Sequence, residues 1–176
     1  EHTGLSVDAS FIRADGNYPF TLENGKYITQ ENRNNSDIHT WQGEANLFHT
    51  FHDESTLDVK AYYFYSERGL PGAVILYHPK AEERLWDENF FTQARYKKTF
   101  SPKWTLQAQA KFNHSWSKYE DTDVKYENGK QTDINRQDEY YLSAAVLYQP
   151  VKGLELSLAQ DGFINTLHTN INDSPN

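Results

Sequence analysis

The chain has 176 residues, of which 37% are hydrophobic and 15% aromatic, and its formal net charge is −8. This length suits one domain or part of a larger one, and the acidic balance argues against a nucleic-acid-binding role, which depends on Lys and Arg neutralising phosphates. The absence of cysteine excludes a disulfide scaffold and a cysteine-ligated metal. No apolar run approaches the roughly 20 residues of a membrane-spanning helix.

Alternation of apolar and polar residues predicts about seven β-strands. In chain order they lie near residues 5–11, 40–51, 56–66, 89–97, 104–116, 140–148 and 154–161. The fifth shows the pattern most clearly. One of its faces carries Trp104, Leu106, Ala108, Ala110, Phe112 and Trp116. The first strand is expected to pair beyond a long loop or outside the chain.

The predicted connections alternate in length. Short turns fall at 52–54, 101–103 and 150–153, and long loops at 14–36, 67–85 and 119–137. Aromatic residues flank both kinds of connection, as interfacial girdles do in membrane barrels. The fold class expected is therefore all-β: an antiparallel up-and-down meander that forms a segment of a large outer-membrane β-barrel with long extracellular loops. The alternative is a surface binding or adhesion module, built as a self-contained β-barrel or β-sandwich.

Three short segments resemble the TonB-dependent outer-membrane receptor family, in particular members from Bacteroidetes-like bacteria. They are the runs at 66–72 (SERGLPG), 13–20 (RADGNYPF) and 87–91 (DENFF). The resemblance implies a Gram-negative outer-membrane location and a parent barrel of about twenty-two strands. It also implies import of a scarce nutrient, such as a metal chelate or cobalamin. The partners implied are the nutrient ligand, outer-membrane lipid and the TonB system, reached through an amino-terminal plug.

Residues 1–176 are expected to be a single β-barrel segment without a plug domain. The chain contains no methionine, which predicts a processed or excised piece. An isolated segment would have two open sheet edges, so we expect it to fold on itself or to self-associate.

Candidate ligand-binding residues lie in the first two long loops, where exposed apolar side chains tend to mark contact surfaces. Such side chains could contact the substrate, a surface lipoprotein or a neighbouring loop. The candidates are Tyr18, Phe20, Arg68, Leu70, Tyr77 and His78.

No catalytic signature is present, so no enzymatic activity and no cofactor are expected. A metal site at His49, His52, Asp53 and Glu54 is disfavoured, because side chains three apart on a strand point to opposite faces. A calcium site at Asp121, Asp123, Glu127 and Asn128 is disfavoured because the EF-hand spacing is missing.

Overall fold

The computed structural model describes residues 2–73, 81–122, 126 and 128–171. Seven strands form one antiparallel sheet in the order β1-β4-β5-β6-β7-β8-β9, so each strand pairs with the next main strand along the chain. The bounds are β1 His2–Ala14, β4 Ile38–Thr50, β5 Thr56–Leu70, β6 Glu83–Ser101, β7 Trp104–Asp121, β8 Gln131–Val151 and β9 Leu154–Thr169. The predicted all-β antiparallel meander is confirmed.

The register of the seven strands separates two chemically different faces. On the face named here the apolar face, one row across the sheet reads Leu5, Leu47, Val59, Ala94, Ala110, Leu142 and Gly162. The adjacent row, one residue away on each strand, belongs to the opposite face, named the polar face. It carries Ser6, Asn46, Lys60, Gln93, Lys111, Tyr141 and Phe163. The period of two in the sequence therefore continues from β1 to β7, whereas Tyr141 and Phe163 add aromatic rings to the polar face at β8 and β9.

Long and short connections alternate along the sheet, as predicted. The short turns at 51–55, 102–103 and 152–153 lie at one end, named the turn end. The connections 15–37, 71–82 and 122–130 lie at the other end, named the loop end. Two of these loops are shorter than the sequence indicated, because β5 runs on to Leu70, β6 begins at Glu83 and β8 begins at Gln131.

The first long connection contains a β-hairpin that the reading of 14–36 as a loop missed. Strands β2 Pro19–Asn24 and β3 Tyr27–Asn32 pair with each other and form a separate two-stranded sheet. Gly25 has φ +63° and is the first residue of a two-residue turn, where glycine is preferred because it accepts positive φ. The first main strand, β1, pairs across this hairpin with β4.

The sheet has no hydrophobic core of its own. Among the described residues no apolar side chain is buried, and Leu158 on the apolar face remains 78% exposed. Both edge strands, β1 and β9, are exposed along nearly their whole length. A contiguous apolar surface of this size requires a covering environment.

No helix within the described ranges is long and apolar enough to cross a membrane.

Candidate functional site at the loop end

Residues 33–37, named here the strap, cross the loop end and bind the base of the second loop. Asn35 donates from Nδ2 to the carbonyl of Leu70 (3.1 Å), the last residue of β5, and to that of Glu83 (2.7 Å), the first residue of β6. Gly69 donates its N–H to the Asp37 carbonyl at 2.9 Å. The strap therefore ties together the two strands that enter and leave loop 71–82.

Two unusual backbone positions make this close approach feasible. Asn35 has φ +52°, a left-handed conformation that asparagine tolerates better than most residues. Gly69 is buried, and a Cβ there would overlap the backbone carbonyl of Asn35. The strap thus needs a residue without a side chain on β5 opposite it.

Side chains extend the strap in both directions. Arg33 donates from Nη2 to the Gly72 carbonyl at 2.6 Å, which reaches into the second loop. Ser36 donates from Oγ to the Gly16 carbonyl at 2.6 Å, which fixes the start of the first loop. The first and second loops are consequently one connected unit at their bases.

An ion-pair cluster anchors the strap to the sheet. The Arg84 guanidinium donates to both carboxylate oxygens of Asp37, at 2.8 and 3.2 Å, and to Glu67 Oε1 at 2.8 Å. The hydrogen bond from Arg84 lowers the pKa of Asp37 below its ordinary value of 3.8, although partial burial opposes this shift. Asp37 therefore stays ionised at neutral pH and holds the two-pronged contact.

The predicted ligand-binding residues fall in two groups. Tyr18 and Phe20 belong to the hairpin region, where the Tyr18 ring is 55% exposed and its carbonyl accepts the Arg33 N–H at 2.9 Å. Arg68 forms an ion pair with Asp87 at 2.9 Å, and the Leu70 carbonyl is bound by Asn35. The strap links these groups, because Arg33 binds the Tyr18 carbonyl and Asn35 binds the Leu70 carbonyl. Tyr77 and His78 lie outside the described residues.

The residues that organise this site were missed at the sequence level. The contacts between the strap and the strands are made by Asn35, Asp37 and Arg84. None of these residues lies in a recognisable motif. A signal exists in the polar, turn-prone run 34–37 (NNSD) directly before β4, because Asn and Asp favour turns and positive φ. The distant partner Arg84 has no local signal at all.

The two disfavoured metal sites show other contacts. Asp53 accepts hydrogen bonds from Lys98 (2.7 Å) and from Ser55, and the Lys98 contact holds the pKa of Asp53 well below its ordinary value. Asp121 accepts a hydrogen bond from the Tyr126 hydroxyl at 2.9 Å. Asp123 and Glu127 lie outside the described residues, within which no group of three potential metal ligands occurs.

Aromatic residues form two belts on the apolar face. At the turn end the Trp104 and Tyr148 rings stack with centroids 4.2 Å apart. At the loop end the Phe11 and Trp41 ring centroids are 4.4 Å apart. The same row continues through Tyr65, Glu88, Trp116 and Arg136, so charged residues begin within this upper belt. Beyond this upper belt the same face becomes charged, with Glu67, Arg84, Lys118 and Glu120.

Comparison with solved structures identifies the architecture. The chain is similar to the siderophore receptor PiuA from Acinetobacter baumannii, with a TM-score of 0.53 and 10% identity over 95% of this chain and 31% of that protein. A weaker match is OmpT, an outer-membrane protein of Vibrio cholerae, with a TM-score of 0.34 and 11% identity over 95% of this chain and 51% of that protein. The latter score is too low to carry an argument. The chain spans about a third of the length of the receptor it matches.

The class of fold follows from the receptor match and the sheet itself. The described residues form a β-meander of the kind that builds the wall of an outer-membrane β-barrel. No family model matches the sequence, and no curated protein matches it either.

Proposed function

We propose that this chain forms part of the wall and outer loops of a TonB-dependent outer-membrane receptor that imports a scarce nutrient, such as a metal chelate or cobalamin. The location in a Gram-negative outer membrane, the relation to Bacteroidetes-like members, and the nutrient, TonB and lipid partners belong to this proposal. It assigns no enzymatic activity, because the sequence contains no nucleophile or acid–base constellation. The likeness to the siderophore receptor PiuA supports the proposal at the level of the fold.

The observation that carries the membrane part is the spacing of the two aromatic belts. From Trp104 to Trp116 on β7 the strand rises about 41 Å at roughly 3.4 Å per residue. With a barrel tilt of about 40°, this rise corresponds to a height of about 31 Å. That height fits a membrane-facing band with one aromatic girdle at each interface. The band between the belts is mostly apolar, with the hydrogen-bonded His114–Asp138 pair next to the upper belt. This band and the charged residues beyond the upper belt support the same placement.

The β-sandwich form of the alternative needs a second sheet packed on the first. The described residues place seven strands in one sheet and only the hairpin in another. The single main sheet therefore favours a barrel wall over the β-sandwich form of the alternative.

The membrane placement is tested by labelling adjacent positions on opposite faces. The chain has no cysteine, so Ala110→Cys and Gln109→Cys each carry one fluorophore. In vesicles containing a lipid-chain quencher, we expect strong quenching at 110 on the apolar face and weak quenching at 109. Equal quenching at both positions would contradict the placement.

The import role is tested in the source bacterium. The gene is deleted, and uptake of ferric siderophores and of cobalamin is measured with and without TonB. We expect uptake of one nutrient to fall in both the deletion strain and the TonB-deficient strain. Uptake of both nutrients that is unchanged by the deletion would refute nutrient import of the proposed kind, whatever the labelling result.

A further inference from the structure

A basic patch lies on the polar face, in the half of the sheet nearer the turn end. It consists of Lys60, Arg95, Lys97 and Lys111, which come from three adjacent strands, β5, β6 and β7. The chain as a whole carries a net charge of −8, so this local excess of cations differs from the average surface. A cleft of about 680 Å³ crosses the same region and is lined by Asp58, Lys60, Gln93, Arg95, Gln109 and Lys111.

The register places the donors of this patch within reach of one small ligand. Gln93 pairs with Lys60 on one side and with Lys111 on the other, so the three residues stand in one row about 4.8 Å apart per strand. Arg95 follows Gln93 on the same face of β6, about 6.8 Å further along, and pairs with Gln109. Every side chain of this group ends in N–H donors.

An aromatic platform supports the two lysines. The Phe91 ring lies 5.9 Å from the Nζ atom of Lys60 and 5.5 Å from that of Lys111, and Tyr62 stacks on it with centroids 5.2 Å apart. Both ammonium groups are thus attracted to the same ring, which stands two residues from Gln93 on the same face of β6.

The carboxylates nearby do not neutralise the patch. Glu44 is paired with Lys60 at 2.7 Å, and Asp58 stands opposite Arg95 in the register. Among the described residues, Arg95, Lys97 and Lys111 form no ion pair, and neither Gln93 nor Gln109 makes a side-chain hydrogen bond. Two carboxylates therefore lie beside the four cations of the patch, and the side chains without an ion pair or hydrogen bond include Gln93, Arg95, Gln109 and Lys111, which line the cleft.

We propose that this cleft is a binding site for a small multivalent anion bearing phosphate or carboxylate groups. Lys111 and Arg95 provide positive charge that no ion pair neutralises. Gln93, opposite Lys111, and Gln109, opposite Arg95, add neutral donors. The site is on the polar face and near the turn end, so it is distinct from the strap and goes beyond the proposed nutrient import. It does not depend on which nutrient is imported.

The test measures binding of inorganic pyrophosphate and of citrate to the whole chain in detergent, by titration calorimetry at low salt. We expect saturable binding of at least one of them, weakened by added sodium chloride because the contacts are ionic. Arg95→Gln and Lys111→Gln should each raise the Kd about tenfold, as loss of a charge-assisted contact does. Tighter binding of pyrophosphate assigns a phosphate ligand, and tighter binding of citrate a carboxylate ligand.

Two further variants make the test decisive. Lys152→Gln removes the same charge from the turn between β8 and β9, and we expect its Kd to match that of the unmodified chain. Asp58→Asn removes the carboxylate opposite Arg95 and should lower the Kd about threefold, a gain that misfolding cannot imitate. Absence of saturable binding of either anion, or equal weakening by Lys152→Gln and Lys111→Gln, would overturn the proposal.

Discussion

The strap predicts a local opening that one isosteric substitution should reveal. Asn35→Asp keeps the size of the side chain and its tolerance of φ +52°, but replaces the amide donor with a carboxylate oxygen. The two hydrogen bonds to Leu70 and Glu83 are then lost. At about 1 kcal/mol each, their loss costs about 2 kcal/mol, which is about a 30-fold increase in the opening equilibrium of the loop base.

Hydrogen–deuterium exchange measures this opening directly. The Gly69 N–H, which donates to the Asp37 carbonyl, should exchange about 30-fold faster in the variant. Asn34→Asp is the matched control, because it adds the same charge one residue away. The Asn34 side chain itself makes no hydrogen bond among the described residues. A rate change below about threefold at Gly69, or the same change in the control, would refute the strap as the element that holds the second loop.

Three other perturbations follow from the described geometry. Ala110→Arg places a charge in the middle of the apolar face and should cost about 2–4 kcal/mol in urea unfolding from vesicles, whereas Gln109→Arg on the polar face should cost little. Gly69→Ala forces a Cβ into the strap carbonyl and should lower the unfolding midpoint, at a cost of about 1–3 kcal/mol; Gly162→Ala, with open space around it, should not. Because the pKa of Asp37 is lower in the fold than its ordinary 3.8, its contribution is present above that value and lost as pH falls through the lower folded pKa. Asp37→Asn should therefore flatten the difference in urea midpoint between pH 5 and pH 3.

The main sheet was predictable because its signal is local and repeated. Each strand alternates with a period of two, as from Trp104 to Trp116, and a slip of one residue would exchange the two faces. Strand ends were harder to predict. Leu70 and Glu83 pair with each other at the ends of β5 and β6 and also bind Asn35, whereas the local alternation of the sequence stops before them. The β2–β3 hairpin was missed although Asn24-Gly25 is a hairpin signal, because its strands are short and alternate weakly.

The contacts at the loop end depend on chain segments far apart in sequence. Asn35 and Glu83 are 48 residues apart, and Arg84 reaches Asp37 over 47 residues, so no window of sequence contains both partners. Arg68 and Leu70 were recognised through a motif, but their roles in the fold come from partners elsewhere. Ligand binding by Tyr18, Phe20, Arg68 and Leu70 stays a prediction.

The number of strands in the main sheet has a consequence for closure. With seven strands in strict up-and-down order, β1 and β9 run in the same direction. Joining them directly would create a parallel seam, whereas bacterial outer-membrane barrels have even strand numbers and antiparallel pairs throughout. Parity therefore dictates that any antiparallel cylinder containing this sheet includes an odd number of additional strands. For the same reason β1 begins at the turn end, with His2, and β9 ends at the loop end, with Thr169. In the proposed placement these two ends of the sheet lie on opposite sides of the membrane.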